Sequence, residues 1–298
     1  MNIINELKKL DIGKVIPSYS LKEHTTYKVG GKAICAVIPD DEDCLIETLK
    51  YLRNNEVKYK ILGNGSNVIF NDSGYNGVII KLDNFNNLKI IGNRVIVGAG
   101  YSLNKLAIRV SRLGLTGLEF ATGIPGTVGG AVYMNAGAYK SDIGYVLTSI
   151  RVITPDYKIK TMYNKDLNFH YRMSFLQQNK DYVCIEAIFS LAKGNVDEMF
   201  EIIDERKKRR LETQPLEYPS AGSVFRNPEG DFAGRLVEDI GYKGKSIGGA
   251  KVSEKHANFI INTGTATGEE IKELIGEIKK KVKEKHGIEL KVEQEFVE

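Results

Sequence analysis

Residues 122–137 read Thr122-Gly123-Ile124-Pro125-Gly126-Thr127-Val128-Gly129-Gly130-Ala131 and continue to Met134-Asn135-Ala136-Gly137. So many glycines between structured segments leave long stretches of bare backbone. A linker would not interleave apolar Ile124 and Val128 among them. A buried, glycine-lined wall against a flat or phosphate-bearing ligand explains the pattern better. A second loop, Gly63-Asn64-Gly65-Ser66-Asn67, follows a strand-like run at 58–62. Two glycines around a short polar residue let backbone N–H groups converge on one anion. Alone, the same five residues fit a tight turn equally well. They are not a Rossmann fingerprint, because Val68 stands where the third glycine belongs. Two such loops in one chain favour a dinucleotide with a pyrophosphate bridge.

The 298 residues are 42% hydrophobic and 27% charged, which excludes a disordered or fibrous chain and suits about two domains. A formal net charge of +4, spread along the chain, is too weak an excess for nucleic acid and compatible with anionic small molecules. Cys35, Cys44 and Cys184 form no C-x-x-C, so neither a disulfide framework nor a zinc ribbon is expected. His24, His170, His256 and His286 never form H-E-x-x-H, and no metal is expected. No apolar run reaches the ~18 residues of a membrane span. Residues 1–9 carry Glu6, Lys8 and Lys9 and lack the apolar stretch of a secretory signal. A soluble, reduced, cytoplasmic protein is expected.

Helical and strand periods alternate along the chain. Leu45, Ile46, Leu49 and Leu52 follow the acidic run 40–43 at helical spacing. Runs at 77–82 and 94–97 read as strands. Leu103, Leu106, Ala107 and Val110 define a helix with Ser102 as N-cap and Gly114 beyond its C-terminus. Segments 149–154 and 158–162 read as a hairpin through Pro155-Asp156, and 182–191 as a strand. A helix opens at Val196 and ends in Lys207-Lys208-Arg209-Arg210, a solvated basic last turn. Two prolines in Gln214-Pro215-Leu216-Glu217-Tyr218-Pro219 mark the best candidate domain boundary. A short helix at 233–240 and a strand at 257–261 follow. Thr267-x-x-Glu270 is a capping box for the last helix, and Gly287 ends it. Alternation at 288–296 predicts a half-buried strand.

Several motif matches fail. Gly244-Lys245-Ser246 lacks the leading glycine of a P-loop, since Asp239 stands there. Gly98-Ala99-Gly100 is followed by Leu103, not glycine. Gly244-Lys245-Ser246-Ile247-Gly248 matches G-x-S-x-G, but a helix precedes it and a strand-like run follows, the reverse of a nucleophile elbow. Ser223, in Ala221-Gly222-Ser223-Val224-Phe225-Arg226-Asn227-Pro228, reads in isolation as a turn serine. Its hydroxyl could also protonate a strongly basic carbon beside it. Arg172, in Tyr171-Arg172-Met173-Ser174, could clamp a carboxylate bidentately or simply lie at the surface.

Taken together, His24-Thr25-Thr26-Tyr27-Lys28-Val29-Gly30-Gly31 and the stretches 62–67, 123–135, 171–174, 219–228 and 233–262 resemble the UDP-N-acetylenolpyruvoylglucosamine reductase (UDP-N-acetylmuramate dehydrogenase) family. The stretches run in order along nearly the whole chain. The uninterrupted run at 233–262 resembles the shorter subgroup, which lacks an extra tyrosine-bearing loop. The resemblance implies an α+β fold. An FAD-binding domain of the vanillyl-alcohol-oxidase (PCMH) type, in two subdomains at 1–80 plus 287–298 and at 81–212, would precede a C-terminal α+β substrate-binding domain at 213–286. It implies tightly bound FAD, with NADPH reducing UDP-N-acetylglucosamine enolpyruvate to UDP-N-acetylmuramate in peptidoglycan synthesis, and so a place in cell-wall biogenesis, cell shape and cell division. By the same resemblance Gly63, Asn64, Gly65, Ser66 and Asn67 hold the pyrophosphate. Thr122, Gly123, Ile124, Gly126, Thr127 and Gly129 form the second flavin loop. Arg172, Ser223 and Glu293 are catalytic, as carboxylate stabiliser, proton donor and terminal glutamate. Asn227, Arg226 and His256 lie on the substrate side. The family's glutamate is usually followed by valine; here Gln294 replaces it and Glu295 comes next, so Glu295 competes with Glu293 for that role. A monomer without nucleic-acid or membrane partners is expected. Two other readings stand beside this one: another FAD oxidase of the same flavin-binding type, and a non-catalytic nucleotide-sugar binding protein.

Overall fold

The computed structural model describes residues 3–298, so the first two residues of the segment inspected for a signal lie outside it. The chain forms two compact units. The first holds Met1–Pro17, Cys35–Gly63 and Gly77–Lys208; the second holds Ser18–Ile34, Asn64–Asn76 and Arg209–Glu298. The last passage between them falls inside the helix Val196–Thr213 rather than at the proline pair that follows it.

In the first unit, a five-stranded antiparallel sheet runs in the order Ile159–Tyr163, Leu147–Ile153, Val183–Ser190, Arg94–Gly98, Leu88–Ile91. Its strands are rich in Ile and Val, which pack well on a pleated surface. The expected hairpin at 149–162 is its outer edge, with Ser149 opposite Tyr163. A second sheet has Tyr59–Ile61 parallel to Tyr75–Ile80, with Tyr59 opposite Val78. The helix Glu42–Asn54 precedes that pair, capped by Asp41, whose side chain accepts from the Cys44 amide at 2.8 Å. The helix Leu103–Arg112 starts as expected, Ser102 accepting from the Lys105 amide. Gly114, at φ +72°, lies beyond its end.

The second unit is built around the helix Gly268–His286. Thr267 and Glu270 form the capping box, and Gly287 closes the helix at φ +69°. Ile271, Leu274, Ile275, Ile278 and Val282 are buried, each worth about 1.5–3 kcal/mol of apolar burial. They share one core with Val224, Phe225, Leu236, Leu290 and Tyr27. The helix Ala233–Asp239 and a small sheet of Ser246–Ile247, Ala250–Val252 and Ile260–Asn262 complete it. Ser246 thus sits on a strand followed by another strand, which removes the nucleophile elbow.

The end of the chain departs from the expected strand at 288–296. Burial does alternate, with Leu290 inside and Glu289 and Lys291 outside. The hydrogen bonds, however, go to two partners. Val292 forms an antiparallel bridge with Phe225. After Gln294 the strand Glu295–Val297 runs parallel to Val68–Phe70. Alternating sequence reports alternating burial, not a continuous ladder. Similarly, the strand expected at 257–261 is confined to Ile260–Asn262.

Candidate active site

Arg172 sits in the first unit on a tight turn. His170 and Met173 exchange backbone hydrogen bonds at 3.1 and 3.0 Å around Tyr171-Arg172. Arg172 is left-handed, at φ +57°, which costs a non-glycine residue about 1–2 kcal/mol. The turn persists because its surroundings over-determine it. Ser174 Oγ donates to the Tyr133 carbonyl at 2.7 Å, and Gln177 Nε2 donates to the carbonyls of Tyr133 and Arg172, both at 2.9 Å. Asn135 Nδ2 donates to the His170 carbonyl at 2.9 Å. Arg172 Nη2 donates to the Gly137 carbonyl at 2.6 Å, and its guanidinium lies 5.0 Å from the Tyr171 ring centroid.

Tyr133 and Asn135 belong to the C-terminal end of the helix Val128–Met134. The start of that helix is the second glycine loop. Thr127 caps it, Oγ1 accepting from the Gly130 amide at 3.3 Å. Leu103 donates to the Gly126 carbonyl at 3.0 Å, Val128 to Tyr101 at 2.9 Å and Gly129 to Ala99 at 2.8 Å. Thr122 Oγ1 donates to the Glu119 carbonyl at 3.0 Å and Ile124 to Ala121 at 3.0 Å. One short helix therefore joins the Arg172 turn to Thr127 and Gly129, and the preceding residues Thr122, Gly123, Ile124 and Gly126 lead into its start. Gly63 also lies in this unit, its carbonyl accepting from Lys81 Nζ at 2.6 Å.

The second unit carries the rest of the first loop. Gly65 is left-handed at φ +63°, and a Cβ there would run into the His24 carbonyl. Its own carbonyl accepts from the Thr26 amide at 3.1 Å, which explains why 24–31 appears among the motif stretches. The amides of Gly65 and Ser66 donate to no acceptor among the described residues. Adjacent bare amides on a left-handed turn are the donor set an anionic pyrophosphate needs, so these residues fit the group.

Ser223 follows Gly222, which is left-handed at φ +73°. The Val224 amide donates to the Asn258 carbonyl at 2.9 Å. Asn258 is buried and bonds both sides of Phe225, accepting from its amide at 3.0 Å and donating to its carbonyl at 2.9 Å. The Glu293 amide donates to the Val224 carbonyl at 2.8 Å, which fixes the Glu293 backbone against the residue after Ser223. Asn67 Nδ2 donates to the Glu293 carbonyl at 3.1 Å, so the first loop reaches the same place. Glu295 instead opens the terminal strand opposite Val68.

On the substrate side, Asn227 Oδ1 accepts from the Ala233 amide at 3.0 Å and so caps the helix Ala233–Asp239. His256 Nδ1 accepts from the Asn258 amide at 3.2 Å, its ring lies 4.8 Å from Phe259, and burial holds its pKa below the ordinary value. Arg226 Nε is buried with no partner among the described residues, a donor left for an anionic ligand to satisfy. Among the described residues, no cluster of His, Cys, Asp or Glu could hold a metal ion.

Residues 214–297 match the UDP-N-acetylenolpyruvoylglucosamine reductase C-terminal domain, and residues 33–163 match an FAD binding domain. A UDP-N-acetylenolpyruvoylglucosamine reductase of Bacillus licheniformis is 46% identical over 99% of this chain and 98% of its own. The chain belongs to the UDP-N-acetylenolpyruvoylglucosamine reductase family. The crystal structure of that reductase from Thermus caldophilus superposes with a TM-score of 0.81 at 32% identity, covering 96% of this chain and 98% of that one. A Physcomitrella patens BBE-like 1 protein, 13% identical, covers 64% of this chain and 44% of that one at a TM-score of 0.50, a likeness of fold alone. The reductase family makes this an FAD-dependent oxidoreductase with the α+β, PCMH-type fold expected from the motifs.

Sequence reading missed the amides that hold these segments: buried Asn135, Asn258 and Gln294, and half-buried Gln177. Only Gln294 carried a signal, as the departure from the usual valine.

Proposed function

We propose that the chain reduces UDP-N-acetylglucosamine enolpyruvate to UDP-N-acetylmuramate with NADPH, as a step of peptidoglycan synthesis. The observation that supports the residue roles is the hydrogen bond from the Glu293 amide to the Val224 carbonyl, which holds the backbone of Glu293 against the residue that follows Ser223. FAD, when bound, supplies the hydride relay from NADPH to the substrate. Gly63, Asn64, Gly65, Ser66 and Asn67 would hold its pyrophosphate, and the 122–129 loop would line the ring system. Arg172 binds the substrate carboxylate and stabilises the charge that develops there as the alkene is reduced. Glu293, carrying a proton, would donate a hydrogen bond to the developing enolate oxygen. Ser223 then gives its proton to the carbon bearing the ether oxygen; the O–H bond breaks as the C–H bond forms, and solvent restores the hydroxyl. A serine suffices because the acceptor is carbanion-like. Arg226, Asn227 and His256 hold the nucleotide sugar.

In the finer division into 1–80 plus 287–298, 81–212 and 213–286, the boundary near 213 is supported by family matches that separate 33–163 from 214–297. The protein works as a cytoplasmic monomer on free nucleotides; no described helix is long and apolar enough to cross a membrane. NADPH consumption that requires the enolpyruvyl substrate and yields one UDP-N-acetylmuramate per NADPH tests the reading. Oxygen consumption without that substrate would favour an oxidase instead, and binding without turnover a non-catalytic protein.

A further inference from the structure

Gln294 is buried in the second unit, and its amide is fully engaged. Nε2 donates towards three successive carbonyls, Ala221 at 3.1 Å, Gly222 at 3.2 Å and Ser223 at 3.4 Å. Oε1 accepts from the Tyr27 hydroxyl at 3.1 Å. The amide orientation is forced, because a flipped Oε1 would face three carbonyl oxygens. Tyr27 is completely buried in the same core, and burial raises its phenol far above the ordinary value, so the hydroxyl remains a donor. Asn262 Nδ2, donating to the Tyr27 carbonyl at 2.9 Å, anchors the backbone of Tyr27 in turn.

Three consecutive carbonyls turned towards one amide require a bent chain, which Gly222 provides at φ +73°. The carbonyls face the core, while Ser223 stays half-exposed with no hydroxyl partner among the described residues. Gln294 also directly follows Glu293, whose amide is bonded to Val224. One buried side chain thus governs both the bend that presents Ser223 and the spacing between Ser223 and Glu293.

We propose that Gln294, oriented by Tyr27, is a positioning residue for proton delivery by Ser223. This rests on the reading of Ser223 as the proton donor. The pair touches no substrate; it sets where the hydroxyl stands when the carbanion-like carbon must be protonated. A misplacement of about 1 Å at such a centre costs up to about a hundredfold in rate.

The two half-reactions, followed separately by flavin absorbance in the FAD-loaded protein, provide the test. Gln294→Val should slow reoxidation of the reduced flavin by saturating enolpyruvyl substrate about tenfold, the worth of one or two hydrogen bonds. Reduction by NADPH should be unchanged, and the solvent deuterium isotope effect on reoxidation should rise as proton transfer becomes limiting. Tyr27→Phe should slow reoxidation about threefold. Tyr27→Phe combined with Gln294→Val removes the buried hydroxyl that Gln294→Val alone leaves unpaired and should be no slower than Gln294→Val alone. Reoxidation at the parent rate in Gln294→Val and the double variant would overturn the proposal. So would a proportional loss in both half-reactions, which marks a structural role. Ser223→Ala in the same assay separates the two ideas: parent-rate reoxidation there removes the donor itself, whereas loss there with none in Gln294→Val removes only the positioning role.

Discussion

The two units hold their key side chains by opposite means. The first keeps Arg172 on a strained left-handed turn and ties it to one helix end through Asn135, Ser174 and Gln177. The second lets glycine take the left-handed position and fixes the Ser223 loop with buried amides, Asn258 on one side and Gln294 on the other. The roles explain the contrast. A guanidinium on a long side chain tolerates small shifts of its backbone and needs its turn pinned at a few points. A serine has no reach, so its backbone must be fixed, and a satisfied polar network inside an apolar core does that rigidly.

The largest effect belongs to the second unit. Ser223→Ala should lower turnover by about a thousandfold, while NADPH still reduces the flavin at the parent rate. Rapid mixing of each half-reaction checks this, and unchanged turnover would break the comparison at its root. In the first unit, Arg172→Lys should cost about a hundredfold in kcat/KM, since an ammonium cannot reproduce the planar fork. Asn258→Ala should lower stability by about 2–4 kcal/mol, because the buried amide and carbonyl of Phe225 both lose their partner. Denaturant midpoints measure that loss, and a cost below that of an exposed asparagine would mean the second unit is not held by buried amides.

Strain in the first unit can be probed where catalysis is not involved. Tyr139 and Lys140 turn the hairpin between Gly137–Ala138 and Ser141–Asp142 at φ +55° and +61°. Lys140→Gly should stabilise the protein by about 1 kcal/mol, by relieving a left-handed non-glycine residue.

The smallest effect is a pH slope from His256. Its pKa is lowered by burial, so the folded form prefers the neutral ring. Stability is therefore full above the ordinary histidine pKa and declines as pH falls from there through the lowered folded value. His256→Gln should flatten that part of the stability–pH curve, measured between neutral and mildly acidic pH.

Much of the scaffold was legible in the sequence because its signals are local. Ser102, Asp41 and the Thr267–Glu270 box announce helix starts, and Gly114 and Gly287 announce ends, wherever the chain goes next. The two glycine loops were legible for a similar reason, since bare backbone is visible as composition. What stayed hidden was long-range. Nothing near Tyr27 says that its hydroxyl meets Gln294. Nothing in the alternation at 288–296 says that the chain changes partner at that residue, from Phe225 to Val68. Ser223 and Arg172 were ambiguous alone for the same cause. A turn serine and a surface arginine become site residues only through what other segments bring to them.

Anaerobic titration with NADPH, followed by addition of UDP-N-acetylglucosamine enolpyruvate, tests the reductase assignment most directly. The flavin absorbance should bleach with about one equivalent of NADPH and return in full when the enolpyruvyl compound is added, with UDP-N-acetylmuramate formed in the same amount. A flavin that stays reduced until air is admitted would contradict the assignment.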